Sequence, residues 1–202
     1  MGVSDQEVKD YIENEITTLF QDIVGNDIDM PNCEYPPLEK FFYYDEDGYV
    51  ISGEIALGRY IPNKYCLLFN LEKMTEYVSD LYCKACNCTY ANMENSLLLS
   101  RLYMIHELFH VRQDKIEKLD MKHDDRNLEE MDNKMTISYF LEHTTCDNNI
   151  KKAILGKFLE SSKFKISKTY RDRLKELGLL SDSVDRVLDR YYKKQDEQDI
   201  EP

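Results

Sequence analysis

His106-Glu107-Leu108-Phe109-His110 sets two histidines four residues apart, with a glutamate directly after the first. On a helix, residues four apart share one face, one turn from each other. Two imidazoles placed so can grip one metal ion from the same side. Nitrogen ligands in a tetrahedral shell suit zinc, and a catalytic zinc keeps a position open for water. The carboxylate beside the first histidine reaches that water and serves as general base. The chemistry implied is hydrolysis with one zinc ion as cofactor and Glu107 as base. Leu98, Leu102, Ile105 and Phe109 recur at helical spacing through the same segment, which predicts a helix with a buried stripe.

Two histidines do not complete a ligand set. The metzincin solution needs Gly three residues after the second His and a third His three further on. Gln113 and Ile116 stand there, so that solution is excluded. The other solution is a carboxylate on a following helix. Glu117, Asp120, Asp124, Asp125, Glu129, Glu130 and Asp132 are candidates, with His123 among them.

The segment Glu129-Glu130-Met131-Asp132-Asn133-Lys134-Met135-Thr136 resembles the third-ligand helix of the ImmA/IrrE-type metallopeptidases, a branch of the gluzincins. Their pattern is a Glu, a small residue and an Asn at the third and fourth positions after it, then an apolar and a small residue. Glu129 and Asn133 fit at that spacing, with Met135 and Thr136 following. Asp132 departs from the small residue. The resemblance spans Leu98 to Tyr139. It implies a zincin-like fold with His106, His110 and Glu129 as metal ligands, Glu130 being the alternative third ligand. It also implies a zinc peptidase with a protein or peptide substrate. In several members that substrate is a repressor or related regulatory protein of a phage, mobile element or stress circuit. Asn133 shares a helix face with Glu129 and can support a ligand histidine from behind. Tyr139 and His143, with Tyr103, are candidates for holding the developing oxyanion. In this fold type a strand before the motif helix receives the substrate as an added strand, and Tyr65 to Asn70 is its counterpart here. The alternative function is a catalytically silent zincin-like protein that binds or regulates a partner.

The elements around the motif predict an α+β fold, a small antiparallel sheet packed on a helical bundle. Val3 to Ile23 reads as an amphipathic helix, with Ser4 as N-cap and Gly25 past its end. Aromatic and β-branched runs at Phe41–Tyr44 and Tyr49–Ile51 flank an Asp-Gly turn and predict a hairpin. Helices follow at Leu71–Leu81, from Asn92 or Asn95 to Leu119, and over Asn127–His143, Asn148–Ser161 and Ser167–Leu177. A last one starts at Ser181 or Asp182. Residues 1–147 are expected to form the metallopeptidase domain and 148–202 a helical extension packed on it.

The chain has 202 residues with 26 Lys+Arg and 39 Asp+Glu, a net charge of −13. Such a protein repels phosphate backbones, so neither nucleic acid nor an anionic membrane is expected as a partner. The basic stretch from Lys151 to Lys175 reads as a solvated helix face. The first twenty residues carry Asp5, Glu7, Asp10, Glu13 and Glu15 where a signal peptide is basic and then apolar. A cytoplasmic location is expected, with the six cysteines as thiols or ligands rather than disulfides. Cys83, Cys86 and Cys88 are spaced closely enough to hold a second, structural ion, although no second C-x-x-C pair accompanies them.

Overall fold

The computed structural model describes residues 2–37, 43–44, 50–52, 57–85, 93–119, 126–161 and 166–198. By internal contacts the chain divides into two compact units, Met1–His123 and Asp124–Pro202.

In the first unit, helix α1 (Asp5–Ile23) starts at a capping box. The Ser4 side chain accepts from the Glu7 N–H, and the Glu7 carboxylate accepts from the Ser4 N–H at 2.7 Å. Val8, Ile12, Ile16, Leu19, Phe20 and Ile23 form its buried face, and Gly25 follows with φ +110°. Strands β1 (Asn32–Glu34), β4 (Gly58–Ile61) and β5 (Cys66–Phe69) form one sheet in the order β1-β5-β4. β4 and β5 are antiparallel, with Tyr60 opposite Leu67. β1 runs parallel to β5, so the sheet is mixed rather than purely antiparallel. Strands β2 (Tyr43–Tyr44) and β3 (Val50–Ser52) pair antiparallel as the expected hairpin. Its turn lies outside the described residues.

Helix α2 (Leu71–Ala85) continues past its expected end at Leu81, so Cys83 lies on a helix and not in a loop. Cys86 and Cys88 fall outside the described residues, and with them the expected second ion site. Helix α3 (Met93–Arg112) carries the His-Glu motif. It is buried all round rather than along one stripe: Leu99, Leu102, Ile105 and Leu108 are fully covered, and so are Met104 and Val111 on other faces. α1, α2 and β4 pack around it. Each fully buried Leu or Ile contributes about 2 kcal/mol of transfer free energy, which makes α3 the most firmly seated element of this unit. After Arg112 the helix widens into a π turn, Gln113–Glu117, closed by Lys118 in the left-handed region (φ 55°).

The second unit holds α4 (Arg126–His143), α5 (Asn148–Ser161), α6 (Lys168–Glu176) and α7 (Asp182–Gln198). α4 thus groups with the three helices after it. Ser167 caps α6 and Ser181 caps α7 through bonds to the N–H groups of Tyr170 and Val184. Gly178, with φ +69°, ends the α6 segment. α6 and α7 are tied by Arg171, whose side chain is only 7 % exposed and whose guanidinium meets Asp185 at 2.5 Å and Asp189 at 2.6 Å. Lys175 reaches Asp185 at 2.6 Å. The Lys175 hydrogen bond, joined by Arg171, holds the Asp185 carboxyl below the usual aspartate range against the opposing effect of burial. A lowered folded-state value stabilises above the unfolded aspartate range, and that stabilisation is lost as pH falls through the folded value. Asp185→Asn should therefore cost about 1.5–3 kcal/mol at neutral pH. Urea melts of the variant and the parent should converge toward acid pH; a gap that stays constant with pH would rule out the ion pair as its cause.

Candidate metal centre

His106 and His110 project, half-buried, from consecutive turns of α3, whose intervening residues Glu107, Leu108 and Phe109 are buried. Their Nε2 atoms lie 3.2 Å apart, with ring planes at 84°. Two nitrogen ligands on a tetrahedral zinc, each at about 2.0–2.1 Å, stand about 3.3 Å apart. The observed pair therefore matches two corners of a zinc shell. His106, His110 and Glu129 each offer one ligand atom, and these atoms lie within 4.8 Å of one another. Among the described residues this is the group that could hold a metal ion. The donor set of two imidazoles and one carboxylate fits zinc, with a fourth position left for water. Glu130, the alternative third ligand, is not part of it.

Glu107 is 5 % exposed. A buried carboxylate needs hydrogen-bond donors. One is the backbone N–H of Tyr60 on β4, at 2.7 Å from Glu107 Oε2. Gly58, two residues earlier, makes room for it. A Cβ there would stand 2.9 Å from Glu107 Cγ and 3.0 Å from Oε1. The other end of Tyr60 is also bonded: its hydroxyl donates to Asp114 Oδ2 at 2.6 Å. Burial would raise the Asp114 carboxyl, but hydrogen bonds from Lys115 and Tyr60 outweigh it and hold it below the usual range. Burial, and then the bond to Asp114, push the Tyr60 phenol well above the ordinary tyrosine value.

One expectation changes. The strand expected to receive a substrate, Tyr65 to Asn70, is the middle of its sheet. Among the described residues β5 is hydrogen-bonded on both sides, and β4, beside Glu107, is an edge strand. Tyr139 and His143 lie ten and fourteen residues after Glu129 on α4, about 15 and 21 Å along the axis at about 1.5 Å per residue. Their two rings stack on each other, 4.2 Å between centroids, and the His143 side chain is 50 % exposed. Tyr103 is buried on α3. On α4, Asp132, Asn133 and Thr136 are all fully buried. Asp132, the departure from the family pattern, thus occupies a covered position.

Gly58, Tyr60 and Asp114 were not singled out by sequence reasoning. An isolated glycine at a strand start and an aspartate just past the motif are signals too common to stand out. Comparison with known protein families, with characterised proteins and with solved structures gives no match.

Two outcomes follow. Zinc at one hundred times its Kd should stabilise the protein by about 2.7 kcal/mol, read as a rise in Tm. His110→Ala should abolish that rise, and a rise that survives would place the ion elsewhere, for instance at the cysteines. Gly58→Ala should cost about 1–3 kcal/mol through overpacking against Glu107. Its urea midpoint should fall while zinc still binds; an unchanged midpoint would mean that Glu107 moves aside freely.

Proposed function

We propose that the chain is a zinc-dependent metallopeptidase that hydrolyses a protein or peptide substrate. The observation that carries this reading is the His106–His110–Glu129 donor set with the buried Glu107 carboxylate beside its two histidines. These three residues would hold a zinc ion, whose Lewis acidity would make hydroxide available from water near neutral pH. Glu107 accepts the proton of the attacking water and returns it to the departing amide nitrogen. The Tyr60 N–H fixes one carboxylate oxygen, so the orientation of the other is set before substrate arrives. An extended peptide would lie along β4, the sheet edge next to that carboxylate. Among the described residues no helix is long and apolar enough to cross a membrane. Cys33, Cys66 and Cys146 are free thiols, which fits a reducing cytoplasm.

A second reading, a metal-bound scaffold that captures a partner without cutting it, draws on one observation. The His143 ring is stacked on Tyr139 and half-exposed, and His143 is not among the grouped donor residues. One experiment separates the two. A peptide library is incubated with the zinc-loaded protein and with Glu107→Gln, and zinc content is measured in both. The expected outcome is equal zinc and a rate lower by about 10²–10⁴ in the variant. Equal rates in the two proteins would leave the non-cutting reading.

A further inference from the structure

Tyr60 is bonded at both ends to one continuous helical segment. Its backbone N–H meets Glu107 at 2.7 Å, and its hydroxyl meets Asp114 at 2.6 Å. The two carboxylates are seven residues apart, about 10 Å along a helix, so one tyrosine spans two turns. Glu107 belongs to α3, and Asp114 to the π turn that follows. π turns inside helices are rare and recur at functional sites.

The phenol end is braced further. Lys115 pairs with Asp114 at 2.8 Å, and its ammonium lies 4.9 Å from the centre of the Tyr65 ring. The Tyr65 ring meets Tyr60 edge-on at 6.4 Å. Tyr65 itself holds a left-handed backbone, φ 48°, and its hydroxyl donates to the Asp29 carbonyl. An aromatic residue in that region is strained and persists only where its surroundings determine it. The 3-10 turn that joins β4 to β5 is thus pinned to the end of the motif helix by aromatic and ionic contacts together.

We propose that Asp114 and Tyr60 are positioning residues for Glu107: Asp114 anchors the Tyr60 phenol, and that anchor keeps the Tyr60 N–H on the Glu107 carboxylate. Gly58 supplies the clearance and Tyr60 supplies the hold. The bond is a feature of the fold, and only its effect on rate rests on the peptidase reading. A misplacement of about 1 Å at a reacting group costs about a hundred-fold in rate, so a residue remote from the substrate can matter through such a hold.

Amide hydrogen exchange at Tyr60 tests this directly, on the zinc-loaded full chain and on Tyr60→Phe, Asp114→Ala and Asp114→Asn. Tyr60→Phe keeps the ring and loses only the hydroxyl. Both it and Asp114→Ala should speed exchange of the residue-60 amide about ten-fold. Asp114→Asn keeps an acceptor oxygen and should hold that amide within about two-fold of the parent. The amides of Leu102 and Phe69 should not change, and zinc affinity should stay at the parent value. On a cleaved peptide, kcat should fall about ten-fold in the first two variants with KM unchanged. Unaltered exchange at residue 60 in both would overturn the proposal, and so would a rise shared equally by Leu102 and Phe69. If the parent protein cleaves nothing, the peptidase reading fails, and the exchange rates still decide the clamp.

Discussion

The candidate centre turns on a contact between two atoms of the same kind. The Nε2 atoms of His106 and His110 face each other across 3.2 Å. Each neutral imidazole nitrogen without a proton points a lone pair along the ring plane, and two lone pairs at that distance repel. A proton shared between the rings relieves the repulsion, and so does a cation held by both. The packing of α3 against α1, α2 and β4 holds the two Cα atoms one turn apart on the same face. The four-residue spacing therefore leaves the two nitrogens a choice between an N–H···N bond from one ring to the other and a cation held by both. Glu129 adds a carboxylate to the same group, which turns that choice toward a divalent ion.

The same packing makes Glu107 costly to accommodate. Its position on α3 is fixed by its histidine neighbours, so its carboxylate enters the packed side of the sheet. Burying a carboxylate is tolerated when hydrogen bonds replace its water. The edge strand meets that need in two ways at residues 58 and 60. It omits a side chain where the carboxylate enters, and it offers a backbone N–H where an oxygen ends. Edge strands have N–H groups to spare. A central strand such as β5 has none, since its own groups are committed to β1 and β4. Among the described strands the order β1-β5-β4 thus decides which one can reach the Glu107 carboxylate, and it follows from β1 entering parallel on the far side of β5.

Much of this was legible before the structure. The helices were readable because caps and apolar spacing agree locally: Ser4 with Glu7, Ser167 with Tyr170, and Gly25 and Gly178 past helix ends. The histidine pair was readable because helical period alone places residues 106 and 110 on one face. Glu129 came from a resemblance, and no local rule distinguishes it from Glu130. What stayed hidden depends on which chain segments lie side by side. Sheet order is one case: an apolar run such as Cys66–Phe69 looks the same in the middle of a sheet and beside a cleft. The hold of Tyr60 on Glu107 is another, since it joins residues 47 apart in sequence.

The departure of α3 from regular geometry belongs to the same argument. An apolar helix buried on every face is poorly matched to a polar continuation, and the sequence turns polar at Arg112-Gln113-Asp114-Lys115. The π turn falls on this change. Gln113 is fully buried there, while Asp114 bonds Tyr60 and Lys115 covers Tyr65. Arg112 reaches back to the Ile23 carbonyl at the end of α1. Four consecutive residues thus take up four different positions at the moment the helix leaves the core. Two of them are spent on the β4–β5 turn, next to the strand that holds Glu107. The segment after the motif is therefore better understood as part of the site's frame than as the end of a helix. A spacing rule for metal ligands passes over Gln113 and Asp114, because their part is in the frame.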